Sequence, residues 1–246
     1  MLEAVLFDWG DTLMDFRWDD ELIEAGHRAG LEALARDDLP EVDAVAAHFR
    51  ERYVPLFWVP GTIEEIEYPG LVRELLGYFR IEVSDEELSR FLDAEHAAWQ
   101  PARELSSTTH ALLESLRARG LKLAVVSNAF DPGWLMQRDL EQMGIAERVD
   151  FSVFSSEIGK RKPHRAMFEA ALGALGVRPE AALFVGDRLY EDVRGAGELG
   201  MITVQALWHR ADENENGREP DFQAFTQMDV LNIVRRLNEE RARPRV

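Results

Sequence analysis

The sequence predicts an α/β protein, a doubly wound parallel sheet carrying an inserted all-helical unit. Short apolar, β-compatible runs alternate with helical patterns over most of the chain, as in a sheet wound by crossover helices. The interval 15–103 breaks that rhythm with helical stretches alone. It also carries most of the acidity: of a formal net charge of −18 over 246 residues, −12 falls there, from 21 acidic and 9 basic side chains. A composition shift of that size marks a separate unit, so residues 1–14 and 104–246 are read as the core and 15–103 as the helical unit, with hinges near 14–18 and 101–107.

EAVLFDW (3–9) is a continuous apolar run that ends in turn-forming residues, as a strand buried on both faces does. Helical stretches follow at 22–35, 42–53, 68–79 and 85–99, and their apolar stripes read as helix packing. Thr108 or Thr109 is placed to cap a helix through Leu112, Leu113 and Leu116 that Gly120 ends. LKLAVVS (121–127) is the next strand. Asp131-Pro132 reads as N-cap and first-turn proline before Trp134, Leu135 and Leu140. VDFSVFSS (149–156) is a third strand, and Pro163 opens a helix through Met167, Phe168, Ala171 and Leu175. AALFVGD (181–187) is a fourth, with a helix from Asp187 to near Gly200, and MITVQAL (201–207) a fifth. Residues 211–221 read as a polar surface loop, 229–240 as a last amphipathic helix, and the arginines of RARPRV as a solvated end.

Composition excludes several chemistries. Without cysteine there is no disulfide, thiolate catalysis or Cys-ligated metal. No apolar run reaches the roughly 18 to 20 residues of a membrane span, and no basic-then-apolar leader opens the chain, so a cytoplasmic protein is expected. The negative charge repels nucleic acid and anionic lipid, and neither is expected as a partner.

Reactive side chains gather at the predicted strand ends, where open α/β sheets bind ligands. Asp8 ends the first strand, Ser127 and Asn128 the second, Lys160-Arg161-Lys162 follows the third, and Asp187 with Asp192 closes the fourth. Carboxylates for a hard cation, a hydroxyl and an ammonium converging on one point describe a phosphate site with magnesium.

The set FDWGDTL, VVSN, GKRKP and VGDRLYEDVRGAGELGM, in that order and at those strand ends, resembles the haloacid dehalogenase-like hydrolase superfamily. The resemblance covers essentially the whole chain, since the interval 15–103 matches that superfamily's helical cap on a Rossmann-like core. It implies that Asp8 is a nucleophile forming an aspartyl-phosphate, that Thr12 ties down its loop, and that Ser127 and the backbone N–H of Asn128 bind a phosphoryl oxygen. Lys162 would neutralise charge on the nucleophile and the transferring group. It is one of only three lysines, and it directly precedes Pro163 in the matching string; Lys160 reads as solvated, and His164 receives no role. Asp187 would bind Mg²⁺ with Asp8 and the carbonyl of Gly10, with Asp192 as a ligand or support; a helix N-terminal acid favoured by the dipole is the rival reading of Asp192.

The sequence departs from the superfamily at Gly10, where phosphatases usually have a second aspartate that protonates the leaving oxygen. General acid–base help is worth about 10² to 10⁴ in rate. Three readings follow: a phosphatase whose leaving group needs little protonation or takes its proton elsewhere, with Asp11 the local candidate; a dehalogenase- or phosphonatase-like hydrolase of C–X or C–P bonds; and a weakly active ligand-binding relative. Retention of Asp187 and Asp192 weighs against dehalogenation, which needs no metal, and the absence of lysine from 15–103 weighs against a phosphonatase Schiff base. The expectation is therefore an Mg²⁺-dependent phosphatase of a small phosphorylated metabolite, its cap closing over the substrate. Arg17 and Trp18, and the aromatic run around Phe57 and Trp58, are candidates for the opening. Nothing in the sequence demands a dimer.

Overall fold

The computed structural model describes residues 1–57, 59, 61–210 and 217–242. Six parallel strands form the main sheet: β1 (Ala4–Phe7), β4 (Lys122–Ser127), β5 (Phe151–Phe154), β6 (Ala182–Gly186), β7 (Ile202–Ala206) and β8 (Phe222–Ala224), in the order β5-β4-β1-β6-β7-β8. Two further strands, β2 (Met14–Phe16) and β3 (Arg103–Leu105), pair with each other as an antiparallel ribbon. Five helices lie between them in sequence: α1 (Asp20–Leu34), α2 (Val42–Arg52), α3 (Val54–Phe57), α4 (Tyr68–Tyr78) and α5 (Asp85–Ala98). The sheet's own helices are α6 (Thr109–Arg117), α7 (Gly133–Gln142), α8 (Ser155–Ile158), α9 (Arg165–Leu175), α10 (Gly195–Glu198) and α11 (Gln227–Ala242).

The double winding follows from the strand period. Successive side chains of a strand point to opposite faces, so Val5 and Phe7 join one core with Leu112, Leu116, Met136 and Val234, while Ala4 and Leu6 join another with Phe168, Ala171 and Ala196. Both faces being covered, β1 has no exposed residue, which is why its sequence is unbroken in apolar character. β1 lies between β4 on one side and β6 on the other, and a crevice opens at the carboxyl ends of these three strands.

The helices α1–α5 bury a third core of their own, among them Leu31, Phe49, Val72, Leu75 and Phe91. Helix α1 lies close against α5: a Cβ on Gly26 would stand 2.5 Å from Trp99 Nε1, so a larger residue there would displace the indole. That nitrogen donates to the Leu22 carbonyl at 3.0 Å, which fixes the ring. Among the described residues no helix is long and apolar enough to cross a membrane.

Several elements differ from the sequence reading. The ribbon β2/β3 and the edge strand β8 were not anticipated; each has three residues, too few for a hydrophobic alternation to register. Thr108 holds the N-cap position of α6, but its hydroxyl donates to Gln227 instead of capping. Pro132, not Asp131, precedes α7, because the Asp131 carboxylate is drawn to His96 at 3.0 Å. Helix α9 begins at Arg165, after a cis Lys162–Pro163 bond and an N-cap at His164 whose ring accepts from the Ala166 N–H. The turn after Asp187 is a wide, π-type one over Leu189–Arg194 before α10. Trp58, residues 211–216 and the side chains of 241–246 lie outside the described residues.

Candidate active site

The crevice is roofed by the α1–α5 layer, leaving a cavity of about 280 Å³, near the lower end of the usual range for small-ligand sites. The roof is tied down beside it. Arg161 N–H donates to the Ile63 carbonyl at 2.9 Å, Glu65 N–H to the Gly159 carbonyl at 3.2 Å, and the Ser155 hydroxyl to the Glu65 carboxylate. A buried ionic joint stands on the other side, where the His96 ring lies 3.0 Å from both Asp131 and Asp139, and Arg103 lies 3.1 Å from Asp139.

Each strand end contributes one reactive group. Asp8 follows β1 and is held by its N–H to Val185. Lys162, 2 % exposed, donates through Nζ to Asp8 Oδ1 at 2.7 Å and to Asp192 Oδ1 at 2.6 Å. Burial opposes its ammonium charge, but Asp192 and Asp8 outweigh burial and hold Lys162 above its ordinary pKa. The other Asp192 oxygen accepts the Arg188 N–H at 3.0 Å, so this carboxylate both braces the turn and anchors the lysine. Gly186 permits that turn, since a Cβ there would meet the Asp192 carboxylate at 2.4 Å.

The three buried carboxylates Asp8, Asp187 and Asp192 bring one oxygen each within 4.8 Å of one another. Asp187 is fully buried and neither of its oxygens accepts a hydrogen bond from the described residues. Arg210 Nε comes within 2.5 Å of Asp187 Oδ2, but off the hydrogen-bonding direction. Burial, then Asp192 and Asp8, push Asp187 up to about 8. With Lys162 shared between Asp8 and Asp192 and Arg210 shared between Asp187 and Asp11, carboxylates outnumber the cations that touch them, which fits a hard divalent cation. Asp187 and Asp8 are the carboxylates with oxygens left to offer; Asp192 has both oxygens engaged, which suits a supporting place better than a ligand's.

Ser127 lines the cavity with its hydroxyl nearly free, its one contact being the Asn128 carbonyl at 3.5 Å. The Asn128 side chain turns away to bracket the Lys162 backbone, accepting its N–H at 2.6 Å and donating to its carbonyl at 3.2 Å. That amide therefore sets the lysine's position. Thr12 differs from the sequence reading in how it secures its loop: its buried hydroxyl has no partner among the described residues, and its carbonyl instead accepts from Trp208 Nε1 at 2.8 Å. Gly10 lines the cavity and a Cβ there would have nothing within 4 Å. Asp11 sits at φ 57 with its carboxylate 3.1 Å from Arg210.

The roof differs in kind. Trp18, Phe49, Val54, Phe57, Tyr68 and Trp99 line it, with Phe16 of β2 at the edge. Phe130, from the loop after β4, packs edge-on into them, 4.8 Å from both Phe57 and Tyr68. Of the residues proposed for the opening, Trp18 and Phe57 are in the lining, whereas Arg17 is exposed and paired with Asp15 and Glu104. Lys160 pairs with Glu64 at the surface. Sequence reasoning missed Phe130, Arg188 and Arg210. Arg188 adjoins Asp187 and was open to the same strand-end logic, but Phe130 and Arg210 lie on irregular segments with no period to reveal them.

Residues 2–200 match the sequence model of the haloacid dehalogenase-like hydrolases. The chain is 30% identical to the glyceraldehyde 3-phosphate phosphatase of Methanopyrus kandleri, covering 98% of this chain and 100% of that one. It is also 30% identical to the phosphoserine phosphatase of Thermus thermophilus, over 84% of this chain and 88% of the relative. A crystal structure of 2-haloacid dehalogenase from Pseudomonas syringae superposes with a TM-score of 0.70 at 23% identity, over 96% of this chain and 100% of the other.

Proposed function

The chain belongs to the haloacid dehalogenase-like hydrolase family, and we propose that within it the protein is an Mg²⁺-dependent phosphatase acting on a small phosphorylated metabolite through an aspartyl-phosphate on Asp8. The observation that carries this reading is the cluster of three buried carboxylates, Asp8, Asp187 and Asp192, in which Asp187 accepts no hydrogen bond from the described residues and has only the Arg210 guanidinium beside it. A site that only fixed Asp8 in place would have no use for it. The phosphatase names of the relatives support the same reaction class.

In this reading a free Asp8 oxygen attacks phosphorus, the bond to the leaving oxygen breaks, and water then cleaves the phosphoryl–Asp8 bond to release inorganic phosphate. Lys162 holds Asp8 in one orientation through Oδ1 and offsets charge as the phosphoryl group transfers. The Ser127 hydroxyl, otherwise uncommitted, donates to a phosphoryl oxygen. Asp8, Asp187 and the Gly10 carbonyl would hold magnesium, with Asp192 behind them; the ion would supply charge neutralisation at the phosphoryl oxygens. The roof of α1–α5 acts as the cap, excluding water and contacting the organic part of the substrate. Asp11, engaged by Arg210, is poorly placed to serve as the acid that Gly10 lacks.

The test is phosphate release from acetyl phosphate and p-nitrophenyl phosphate with and without Mg²⁺, for the wild type and Asp8→Asn, with acid quenching to trap phosphorylated protein. Turnover that requires Mg²⁺, falls at least about 10⁴-fold in the variant and leaves label on the wild-type protein alone is the expected result. Metal-independent halide release from a 2-haloacid would overturn it in favour of carbon–halogen cleavage.

A further inference from the structure

We infer that the leaving group this cavity selects is aryl: the substrate is a phosphate monoester of a phenol-type oxygen on a flat, uncharged ring. The inference rests on the phosphatase reading and follows from two unrelated features of the cavity.

The first is its roof. Phe49, Phe57, Tyr68, Phe130 and Trp99 form a connected set of tilted and edge-on ring contacts, with Trp18 edge-on to Trp99 at 5.9 Å. Among the described residues of α1–α5 and their loops, no charged side chain lines the cavity. Rings offer faces and edges to another ring, adding to plain area burial. A carboxylate brought there loses its water and meets no charged group of the roof, the Tyr68 hydroxyl and the already engaged Trp99 N–H being the polar atoms on its rings. From below, each arginine in the lining faces a carboxylate: Arg210 stands on Asp11 and Asp187, Arg188 lies 3.6 Å from Glu191, and Arg161 lies 3.9 Å from Glu65.

The second is Gly10. Glycine has no side chain to protonate the departing oxygen, a Cβ there would meet nothing within 4 Å apart from its chain neighbours, and the adjacent Asp11, which also lines the cavity, is held 3.1 Å from Arg210. An alkoxide, the conjugate base of an alcohol about as weakly acidic as water, leaves poorly without a proton. A phenolate, whose parent phenol has a pKa of about 10, leaves as the anion. In the balanced step the Asp8 oxygen forms its bond to phosphorus, the P–O(aryl) bond breaks, and the electron pair departs on the phenolate, which takes its proton from solvent. The missing acid and the aromatic roof thus select the same leaving group, one by basicity and the other by shape.

The experiment is a kcat/KM series in Mg²⁺ over acetyl, phenyl, 2-naphthyl, benzyl, cyclohexyl, phosphoserine and glyceraldehyde 3-phosphate substrates, for the wild type and Gly10→Asp. Phenyl and 2-naphthyl phosphate should exceed cyclohexyl phosphate by at least about 10²-fold. Benzyl phosphate, with a ring but an alcohol's leaving oxygen, should fall between. Gly10→Asp has room for its carboxylate and should raise the alkyl substrates more than the aryl ones, narrowing the gap at least tenfold. Wild-type preference for cyclohexyl phosphate, phosphoserine or glyceraldehyde 3-phosphate over the aryl esters overturns the inference and leaves the phosphatase standing. Absence of Mg²⁺-dependent turnover throughout, acetyl phosphate included, overturns the phosphatase reading and this one with it.

Discussion

The floor and the roof of the cavity are built from different materials and held in different ways. On the floor, Asp8, Lys162 and Asp192 meet beyond the carboxyl ends of buried strands, the lysine donating to both carboxylates at 2.6 to 2.7 Å, with the Ser127 hydroxyl beside them. In the roof, Phe49, Phe57, Tyr68 and Trp99 come from separate helices and meet ring to ring at 6.1 to 6.4 Å where they touch. Charge placed for a phosphoryl transfer must be positioned to within a fraction of an ångström, and a sheet core supplies that rigidity. Shape recognition by rings tolerates more movement. The difference teaches that the two surfaces should fail separately, floor substitutions in kcat and roof substitutions in KM.

The largest break is expected at the floor. Lys162→Met leaves Asp8 and Asp192 facing one another without the cation that joins them. kcat on p-nitrophenyl phosphate should fall by about 10² to 10³, and unfolding in urea should show a loss of roughly 3 kcal/mol, since breaking a buried pair strands its partner. A kcat within tenfold of the wild type would mean that the floor's charge is structural only.

How far the sequence showed these two surfaces follows from the same contrast. Strands buried on both faces read as unbroken apolar runs, so their ends were readable: Asp8 and Asp187 sit just past β1 and β6, Ser127 is the last residue of β4, and Lys162 was found by the Arg-Lys-Pro string that follows β5. The roof gave no comparable signal. Phe49, Phe57 and Tyr68 are brought together by helix packing and look like core residues of their own helices, whereas Trp18, Trp99 and Phe130 lie beside helices or in a loop with no period to mark them; only Trp18 and the run around Phe57 were singled out. Asp131 misled for a related reason: its position before a proline suits an N-cap, but the buried His96 outcompetes the helix for its carboxylate. The ribbon β2/β3 is set by which chain ends meet, a long-range fact that three residues on each side do not encode.

A second contrast separates buried carboxylates with a cation from one without. Glu95 lies inside the α1–α5 layer at 1 % exposure, 3.7 Å from the His27 ring, with no hydrogen bond to its Oε1. Burial, then Asp131, raise it well above the ordinary 4.5. Burial, together with Arg50, lowers His27 from 6.5 to about 4, against the hydrogen bond to the Ile23 carbonyl. The two act with opposite sign. Above pH 4.5 the unfolded chain ionises Glu95 while the folded one does not, so stability is lost as pH rises; between about 4 and 6.5 the unfolded chain protonates His27 while the folded one does not, so stability is gained. Glu95→Gln removes the first effect. The variant should gain on the wild type by up to about 1.4 kcal/mol per pH unit above 4.5, and its own stability should climb between pH 4 and 6.5. Urea midpoints from pH 4 to 8 measure this, and a variant-to-wild-type difference that stays flat would show that Glu95 is already ionised in the fold.

The smallest effect is expected at the edge of the roof. Trp18 is 36% exposed and meets the cavity through its edge-on contact with Trp99. Aromatic pairs of this kind contribute about 0.5 to 1.5 kcal/mol beyond area burial, and partial exposure holds this one to the lower half of that range. Trp18→Ala should therefore raise KM for 2-naphthyl phosphate by about two- to fivefold while changing kcat little, because the contact is made equally before and during the chemical step. Acetyl phosphate, too small to reach the rings, should be affected least. The pair of substrates makes the measurement sharper than either alone: a fall in kcat on both would mean that Trp18 governs closure of the whole roof over the floor, and the separation between the two surfaces would not hold.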